Sequence, residues 1–146
     1  IRVNYPAAQD EETILQRYHD GFDARRLDDV TIDPLPASAI SDARRDAAAV
    51  RVEPSMITYI AAVARRTREW PALTLGASPR AGINLMQVAK ARAAMDGRDY
   101  LLPDDVKGAA PAVLRHRLVL KPEAEMEGVG ADQVLADVLG AVEVPK

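Results

Sequence analysis

Apolar residues recur at helical spacing through most of this 146-residue chain. The strongest pattern begins at Pro54 or Ser55 and ends at Trp70. Its apolar stripe consists of Met56, Ile57, Ile60, Val63, Ala64 and Thr67. Residues spaced by three and four positions share one face of a helix, so this segment is predicted to be an amphipathic helix with that stripe in the core.

A second helix is predicted to begin after Ser78 and to end at about Gly97. Ser78 is a favourable N-cap, and Pro79 is favoured as the first helical residue because it needs no amide partner there. The apolar stripe of this helix consists of Gly82, Leu85, Met86, Ala89 and Ala93. The two predicted helices form the central pair of the chain.

Weaker patterns predict further helices on both sides of this pair. They cover residues 10–21, residues 38 or 41 to 49, residues 103–108, a short piece through residue 116, and a segment from about residue 132. Ile14, Leu15 and Tyr18 are the predicted core residues of the first of them. Pro111 is the reason for the predicted break near Gly108, because a proline inside a helix removes a backbone hydrogen bond.

Short extended segments and loops connect the predicted helices. Extended segments are predicted at residues 1–4, 30–32, 50–52 and 118–120, and a loose acidic loop at residues 123–130. Leu102 is a poor capping residue, so the helix that begins at Pro103 is predicted to be held there by packing alone. The expected structure is a mainly α fold with one or two short β segments, in a single domain of residues 1–146.

Composition excludes several classes of function. The chain has no cysteine and two histidines, so metal catalysis by this chain alone is not expected. Its 19 basic and 22 acidic residues give a net charge of −3, which argues against general binding of nucleic acid. No apolar run approaches the ~18 residues of a membrane span, and no secretory signal is present, so a soluble, cytoplasmic protein is expected. The phosphate-binding P-loop motif is also absent.

Arg80 is the candidate functional residue of the second helix. It falls in the first turn, where the helix dipole disfavours a positive charge, and on the side opposite the apolar stripe, with Asn84 and Gln87. Residues 70–95 contain no Asp or Glu. A guanidinium beside free backbone N–H groups can bind phosphate, so an anion site is one interpretation. A solvated surface arginine is the other.

The first helix of the central pair suggests an alternative function. Arg65, Arg66 and Arg68 lie largely off its apolar stripe. Such a cluster can dock an acidic protein partner or, less plausibly here, nucleic acid. A solvated helix face has the same appearance in sequence.

Several segments together resemble the C-terminal part of the MoxR family of AAA+ ATPases. They are Tyr5-Pro6 with Glu12 and Ile14-Leu15, the run from Gly76 through Ser78-Pro79-Arg80 to Ala81, Gly97-Arg98-Asp99-Tyr100, Pro103-Asp104-Asp105-Val106, and Val113-Leu114-Arg115-His116-Arg117. Their order and spacing follow the family across nearly the whole chain, and the run that contains Arg80 is the most specific.

The resemblance implies a helical lid of the AAA+ type in residues 7–146, preceded in residues 1–6 by the last strand of an ATPase core. It places Arg80 at the position of the sensor 2 arginine, which reaches the γ-phosphate of ATP and assists hydrolysis. Ser78, Pro79 and Ile14 would then lie near the adenine and ribose. The Walker A, Walker B, sensor 1 and arginine-finger segments are absent, so Mg²⁺ would be held by the missing core, and this chain alone is expected neither to hydrolyse ATP nor to bind it tightly.

The same resemblance implies particular partners. They are the chain's own ATPase core, neighbouring subunits of a hexameric ring, and von Willebrand factor type A domain proteins matured in a chaperone-like role. Neither nucleic acid nor a membrane is an expected partner.

Overall fold

The computed structural model describes residues 4–26 and 33–145 of the chain and divides it into two units, Ile1–Pro36 and Ala37–Lys146. The described residues form seven α-helices. They are α1 (Ala8–His19), α2 (Ala39–Ala49), α3 (Pro54–Arg68), α4 (Pro79–Met95), α5 (Pro103–Leu114), α6 (Pro122–Met126) and α7 (Ala131–Ala141). A mainly α fold is therefore confirmed.

The first unit contains one described helix, α1. The core residues predicted for this helix are wrong. The helix begins at Ala8, two residues before the predicted cap. Ile14, Leu15 and Tyr18 are 47%, 72% and 52% exposed instead of buried. The periodicity identified a helix correctly, but within this unit no second described helix is available to cover its apolar side. Residues 1–3 of the strand predicted at 1–4, and the whole strand predicted at 30–32, lie outside the described residues.

The second unit is built around α4, which packs against α2, α3 and α5. Four residues of α4 are fully buried, namely Ala81, Leu85, Ala89 and Ala93. Three of these four are alanines, so the neighbouring helix backbones can approach closely without leaving cavities. On α5 the buried apolar side consists of Val106, Ala109, Ala110, Val113 and Leu114, while α7 contributes Val134, Leu135 and Val138. The start of α4 at Pro79 and the inward face of α7 agree with the prediction.

One position in the predicted stripe of α3 is wrong. Ile57 is 54% exposed, whereas Tyr59 is buried in its place. Burial raises the pKa of the Tyr59 phenol, and the charge of Asp104 adds to this shift. The buried stripe of α3 therefore includes Tyr59 and not Ile57.

A two-stranded antiparallel sheet connects the segment that follows α3 with the segment that follows α5. Strand β1 (Leu73–Leu75) pairs with β2 (Val119–Leu120), with Leu73 opposite Leu120 and Leu75 opposite Val119. Strand β2 was predicted, but β1 was not, because the segment between Trp70 and Gly76 has no alternation long enough to signal a strand. Residues 50–52 are extended as predicted and form a single parallel bridge between Arg51 and Tyr100.

Two predicted interruptions are absent. Helix α5 runs without a break from Pro103 to Leu114 with Pro111 inside it, and only then tightens into the 3₁₀ turn Arg115–Arg117. The apolar side of α5 is buried along its whole length, and this burial outweighs the one backbone hydrogen bond lost at Pro111. Residues 123–126, which lie within the predicted loop 123–130, belong instead to the short helix α6, which buries Ala124.

The start of α5 is held by a hydrogen-bonded ion pair and not by packing alone. Asp105 accepts hydrogen bonds from both terminal nitrogens of Arg98, at 2.6 and 2.7 Å, and from the backbone N–H of Leu102 at 2.9 Å. Arg98 also contacts Asp96 at 3.0 Å. The carboxylate therefore fixes the turn between α4 and α5 as well as the first turn of α5, which corrects the expectation drawn from Leu102.

This ion pair should make stability depend on acid pH. The guanidinium of Arg98, helped by the Leu102 N–H, lowers the pKa of Asp105 below its ordinary value, although burial opposes the shift. Because the folded state favours the ionised form, the stabilisation is present above the unfolded pKa of about 3.9 and is lost as pH falls towards the lowered value. We expect Asp105→Asn to destabilise the chain most at neutral pH, and the difference from wild type to shrink below about pH 4. Urea denaturation over a pH series measures this difference, and a difference that stays constant with pH would contradict it.

Candidate functional site at the start of α4

The first turn of α4 has the geometry that Ser78 and Pro79 predict. The Ser78 hydroxyl accepts a hydrogen bond from the N–H of Ala81 at 3.3 Å, and the Ser78 carbonyl accepts from the N–H groups of Ala81 and Gly82 at 2.9 and 3.3 Å. Since Pro79 has no N–H, the amide of Arg80 is the one donor of this turn without a partner in the described chain. The backbone at this helix end therefore offers an anion few free N–H donors, and most of the positive charge comes from the arginine side chain.

Arg80 is exposed, and no described residue forms an ion pair or hydrogen bond with its side chain. The first turn of α4 contains no acidic residue, and residues 71–95 of the sequence contain none either. A buried or ion-paired arginine would have removed the basis for an anion site. None of the residues in the described ranges 4–26 and 33–145 occupies the guanidinium, as an anion site at this helix start requires.

The other basic residues of α4 do not join this site. Lys90 donates to the carbonyl of Ala48 at 2.7 Å and so binds the last turn of α2. Arg92 lies against α5, where an added Cβ at Gly108 would meet its guanidinium at 2.8 Å. Both residues lie far along α4 from Arg80. Among the basic residues of α4, Arg80 is therefore the one that gives the N-terminal end a positive charge.

The loop before α4 is fastened to the end of α3. The Ala77 N–H donates to the Thr67 hydroxyl at 2.8 Å, and the Ala77 carbonyl accepts from Nε of Arg68 at 2.7 Å. Gly76 lies so close to α3 that a Cβ there would be 2.6 Å from the Arg68 backbone nitrogen. None of these three contacts was predicted. The available signals were a threonine within an apolar stripe and a glycine two residues before an N-cap.

A shallow apolar groove of about 350 Å³ runs between α3 and α4 beside this site. Ile57, Ile83 and Met86 line its apolar part, Arg65 and Arg68 lie on its α3 side, and Pro79 lies at the α4 end. Of the predicted site residues, Ser78, Pro79 and Arg80 are thus together at one helix end. Ile14 lies on α1 in the first unit.

The family follows from comparison with known proteins. The model of the AAA lid domain family matches residues 65–138, which is just over half of the chain and includes α4, α5 and most of α7. The chain belongs to the AAA lid domain family. The matched region contains the Ser78-Pro79-Arg80 turn, so the candidate site of this lid lies inside the family's own domain.

The individual relatives of the lid include a chaperone named MoxR1. The chain is 34% identical to the Bacillus subtilis protein YeaC over 99% of this chain and 44% of that protein. It is 31% identical to chaperone MoxR1 of Mycobacterium tuberculosis over 100% of this chain and 40% of that protein. A crystal structure described as an ATPase from Cytophaga hutchinsonii superposes with a TM-score of 0.78 and 29% identity, over the whole lid chain and 46% of that chain. The chain spans less than half the length of these relatives. It is a C-terminal lid of a MoxR-type AAA+ ATPase.

The arginine cluster on α3 is largely engaged within the lid. Arg66 lies 3.9 Å from Glu69 and 5.3 Å from the centre of the Trp70 ring, and Arg68 is bonded to Ala77. Of the three arginines only Arg65 has no partner among the described residues. The cluster therefore gives little support to the alternative of a separate docking module.

Residues 4–26 and 33–145 contain no group of three or more His, Cys, Asp or Glu side chains that could hold a metal ion. Within the same ranges no helix has both the length and the apolar character needed to cross a membrane.

Proposed function

We propose that this chain is the ATP-responsive lid of a MoxR-type AAA+ ATPase and that Arg80 is its sensor 2 arginine. The observation that supports this proposal is the state of Arg80 itself. It is exposed at a rigidly held helix start, and no described residue neutralises it. A guanidinium that no described residue pairs with, beside a helix dipole of the same sign, is stabilised when a multiply charged anion binds.

The residues at this end of α4 fit a nucleoside triphosphate. Arg80 offers a planar set of donors suited to phosphate oxygens, and its own backbone N–H remains open beside them. Pro79, at the end of the apolar groove, offers a surface of the kind that a ribose or base packs against. Ser78 supports this turn as its cap. No carboxylate from residues 71–95 would repel the phosphates.

Arg80 would act through charge. ATP supplies the phosphoryl group to be transferred, and the residues that hold Mg²⁺ and the attacking water would belong to the core. A guanidinium placed against the terminal phosphate stabilises negative charge as it develops, which is the largest contribution that a preorganised site makes. When that charge is no longer present, the attraction on Arg80 ends, and the lid can move relative to the core.

The remaining parts of the proposal rest on the resemblance. Residues 1–6 would be the last strand of the ATPase core and residues 7–146 the helical lid, with Ile14 near the adenine. The exposed apolar side of α1 would then be covered by the rest of the ATPase. We extend the proposal to assembly into rings, and to a chaperone-like role with von Willebrand factor type A domain proteins.

Replacing Arg80 by alanine in the intact ATPase tests the central claim. We expect kcat for ATP hydrolysis to fall by about 10²-fold or more, as on removal of other groups that stabilise transition-state charge. The fold should be unaffected, because the side chain is exposed and forms no hydrogen bond or ion pair with a described residue. Steady-state ATPase rates together with thermal unfolding measure both effects.

Arg44→Ala is the matched control for this experiment. Arg44 is an exposed arginine on α2, so the control removes the same charge from a different helix. Its turnover should equal that of wild type. An Arg80→Ala enzyme with wild-type kcat would exclude the sensor 2 role and leave a lid without a nucleotide-sensing residue at this position.

A further inference from the structure

Both polar backbone groups of Ala77 are bound by side chains from the end of α3. Thr67 Oγ1 accepts the Ala77 N–H at 2.8 Å and donates its own proton to the Ala64 carbonyl at 2.7 Å. Arg68 Nε donates to the Ala77 carbonyl at 2.7 Å. Thr67 and Ala77 are both fully buried. We call this set of three hydrogen bonds the Ala77 clamp.

We propose that Thr67 and Arg68 are positioning residues, which set the direction of Arg80 through the Ala77 clamp. This inference rests on the proposed function of Arg80. Neither residue is required to touch the nucleotide. Their role is to fix the chain two residues before the helix begins, so that the first turn of α4 points in one direction.

The covalent path from the clamp to Arg80 is short and stiff. Only Ser78 and Pro79 separate Ala77 from Arg80. The ring of Pro79 fixes its φ angle, and the Ser78 hydroxyl is bonded to the N–H of Ala81. Movement at Ala77 therefore passes to the first helical turn with little loss.

The rest of α4 is held independently of the clamp. Leu85, Ala89 and Ala93 are buried in the core, and Lys90 is bonded to Ala48. Loss of the clamp should thus leave the body of α4 in place and loosen its N-terminal turn, which is the part that carries Arg80. Helix ends fray where their local contacts are removed.

The hydroxyl of Thr67 is the group that the clamp needs. Its bond to the Ala64 carbonyl directs the hydroxyl proton into α3, so that an oxygen lone pair is left for the Ala77 N–H. Valine has the same shape without either bond, and serine retains both. Thr67→Val and Thr67→Ser are therefore a matched pair that changes hydrogen bonding separately from packing.

A double-mutant cycle in the intact ATPase tests the inference. We expect Thr67→Val to lower kcat for ATP hydrolysis roughly tenfold, because small errors in position are costly for a group that acts in the transition state. KM for ATP should change by less than about twofold, since the binding lost is that of the transition state. Thr67→Ser should restore kcat. In an Arg80→Ala background, Thr67→Val should lower kcat no further, because the residue through which it acts is gone.

Arg68→Met gives an independent test that does not depend on a buried substitution. It keeps the aliphatic stem of an exposed side chain and removes the Nε donor, and we expect a fall in kcat that is also absent in the Arg80→Ala background. Arg44→Met is the control for charge and should not alter kcat.

The outcomes separate this inference from the function on which it rests. A wild-type rate for Arg80→Ala would overturn the proposed function and the inference together. A fall for Arg80→Ala, with wild-type kcat for both Thr67→Val and Arg68→Met, would overturn the inference alone. An equal fall for Thr67→Val with and without Arg80 would also overturn it, since the clamp would then support the fold and not Arg80.

Discussion

Replacing Asp105 with alanine should lower the free energy of unfolding by about 3 kcal/mol. The side chain of Asp105 is 5% exposed and accepts three hydrogen bonds, two from Arg98 and one from the Leu102 N–H. Its removal leaves a guanidinium and a backbone donor without their acceptor. Breaking a buried pair typically costs about 3–5 kcal/mol, and the lower end applies here because the side chain of Arg98 can still reach water and Asp96.

Asp104→Ala is the control for this prediction, in the same turn of the same helix. The side chain of Asp104 is 90% exposed, and its nearest basic partner, Lys107, is 3.7 Å away. An exposed pair of this kind contributes little, so the substitution should change stability by no more than about 0.5 kcal/mol. Urea denaturation of the chain, followed by far-ultraviolet circular dichroism, compares the two variants. Equal losses for both would show that the Asp105 carboxylate is not a specific support of the turn between α4 and α5.

The two helices of the central pair could be predicted from sequence because their signals are local. The start of α4 depends on Ser78 and Pro79, which are adjacent to it, and the burial of Leu85 and Ala89 follows from their spacing along one helix. Arg80 was found in the same way. It is a cation at the wrong end of a helix and on the side that the core does not use, and both properties can be read from neighbouring residues.

The errors arise where one element depends on another that is distant in sequence. Periodicity identified α1 as a helix, but it could not show whether a second surface covers Ile14 and Leu15. The same limitation applies to Pro111, whose cost within α5 is offset by burial against other helices. A breaker residue predicts a break only where packing does not oppose it.

The hydrogen bonds that support the candidate site also depend on residues that are distant in sequence. Thr67 and Ala77 are ten residues apart, and their hydrogen bond forms only when the chain turns back at β1 onto the end of α3. In sequence, Thr67 appeared to be one more residue of an apolar stripe. The hydroxyl is visible as a functional group only after the structure shows which backbone N–H faces it.

Replacing Gly76 with alanine should cost about 3 kcal/mol of stability, at the upper end of the usual range for overpacking. A Cβ at this position would lie 2.6 Å from the backbone nitrogen of Arg68 and 2.7 Å from its Cα. A clash with a flexible side chain could be relieved by rotation. Backbone atoms within the last turn of α3 cannot move in that way, so the loop that contains Ala77 must shift and the clamp must weaken.

Gly82→Ala is the matched control, six residues further along and inside α4. There the added Cβ would meet only the Cβ of Ala64, at 4.0 Å, which is an ordinary contact distance. Because alanine is a better helix former than glycine, this variant should be more stable than wild type by roughly 0.5–1 kcal/mol. The same substitution is therefore expected to have opposite signs at two glycines of one segment.

Urea denaturation of both variants tests these signs, and Trp70 offers a local probe. It is the single tryptophan of the chain, and its carbonyl accepts the N–H of Leu73 at the beginning of the turn that leads to Gly76. Gly76→Ala should change the fluorescence of folded Trp70, whereas Gly82→Ala should not. In the intact ATPase, Gly76→Ala should also lower kcat, because Arg80 would be displaced with the loop. Wild-type stability and turnover for Gly76→Ala would show that the loop has room for a side chain, and that the close contact between Gly76 and α3 does not determine where α4 begins.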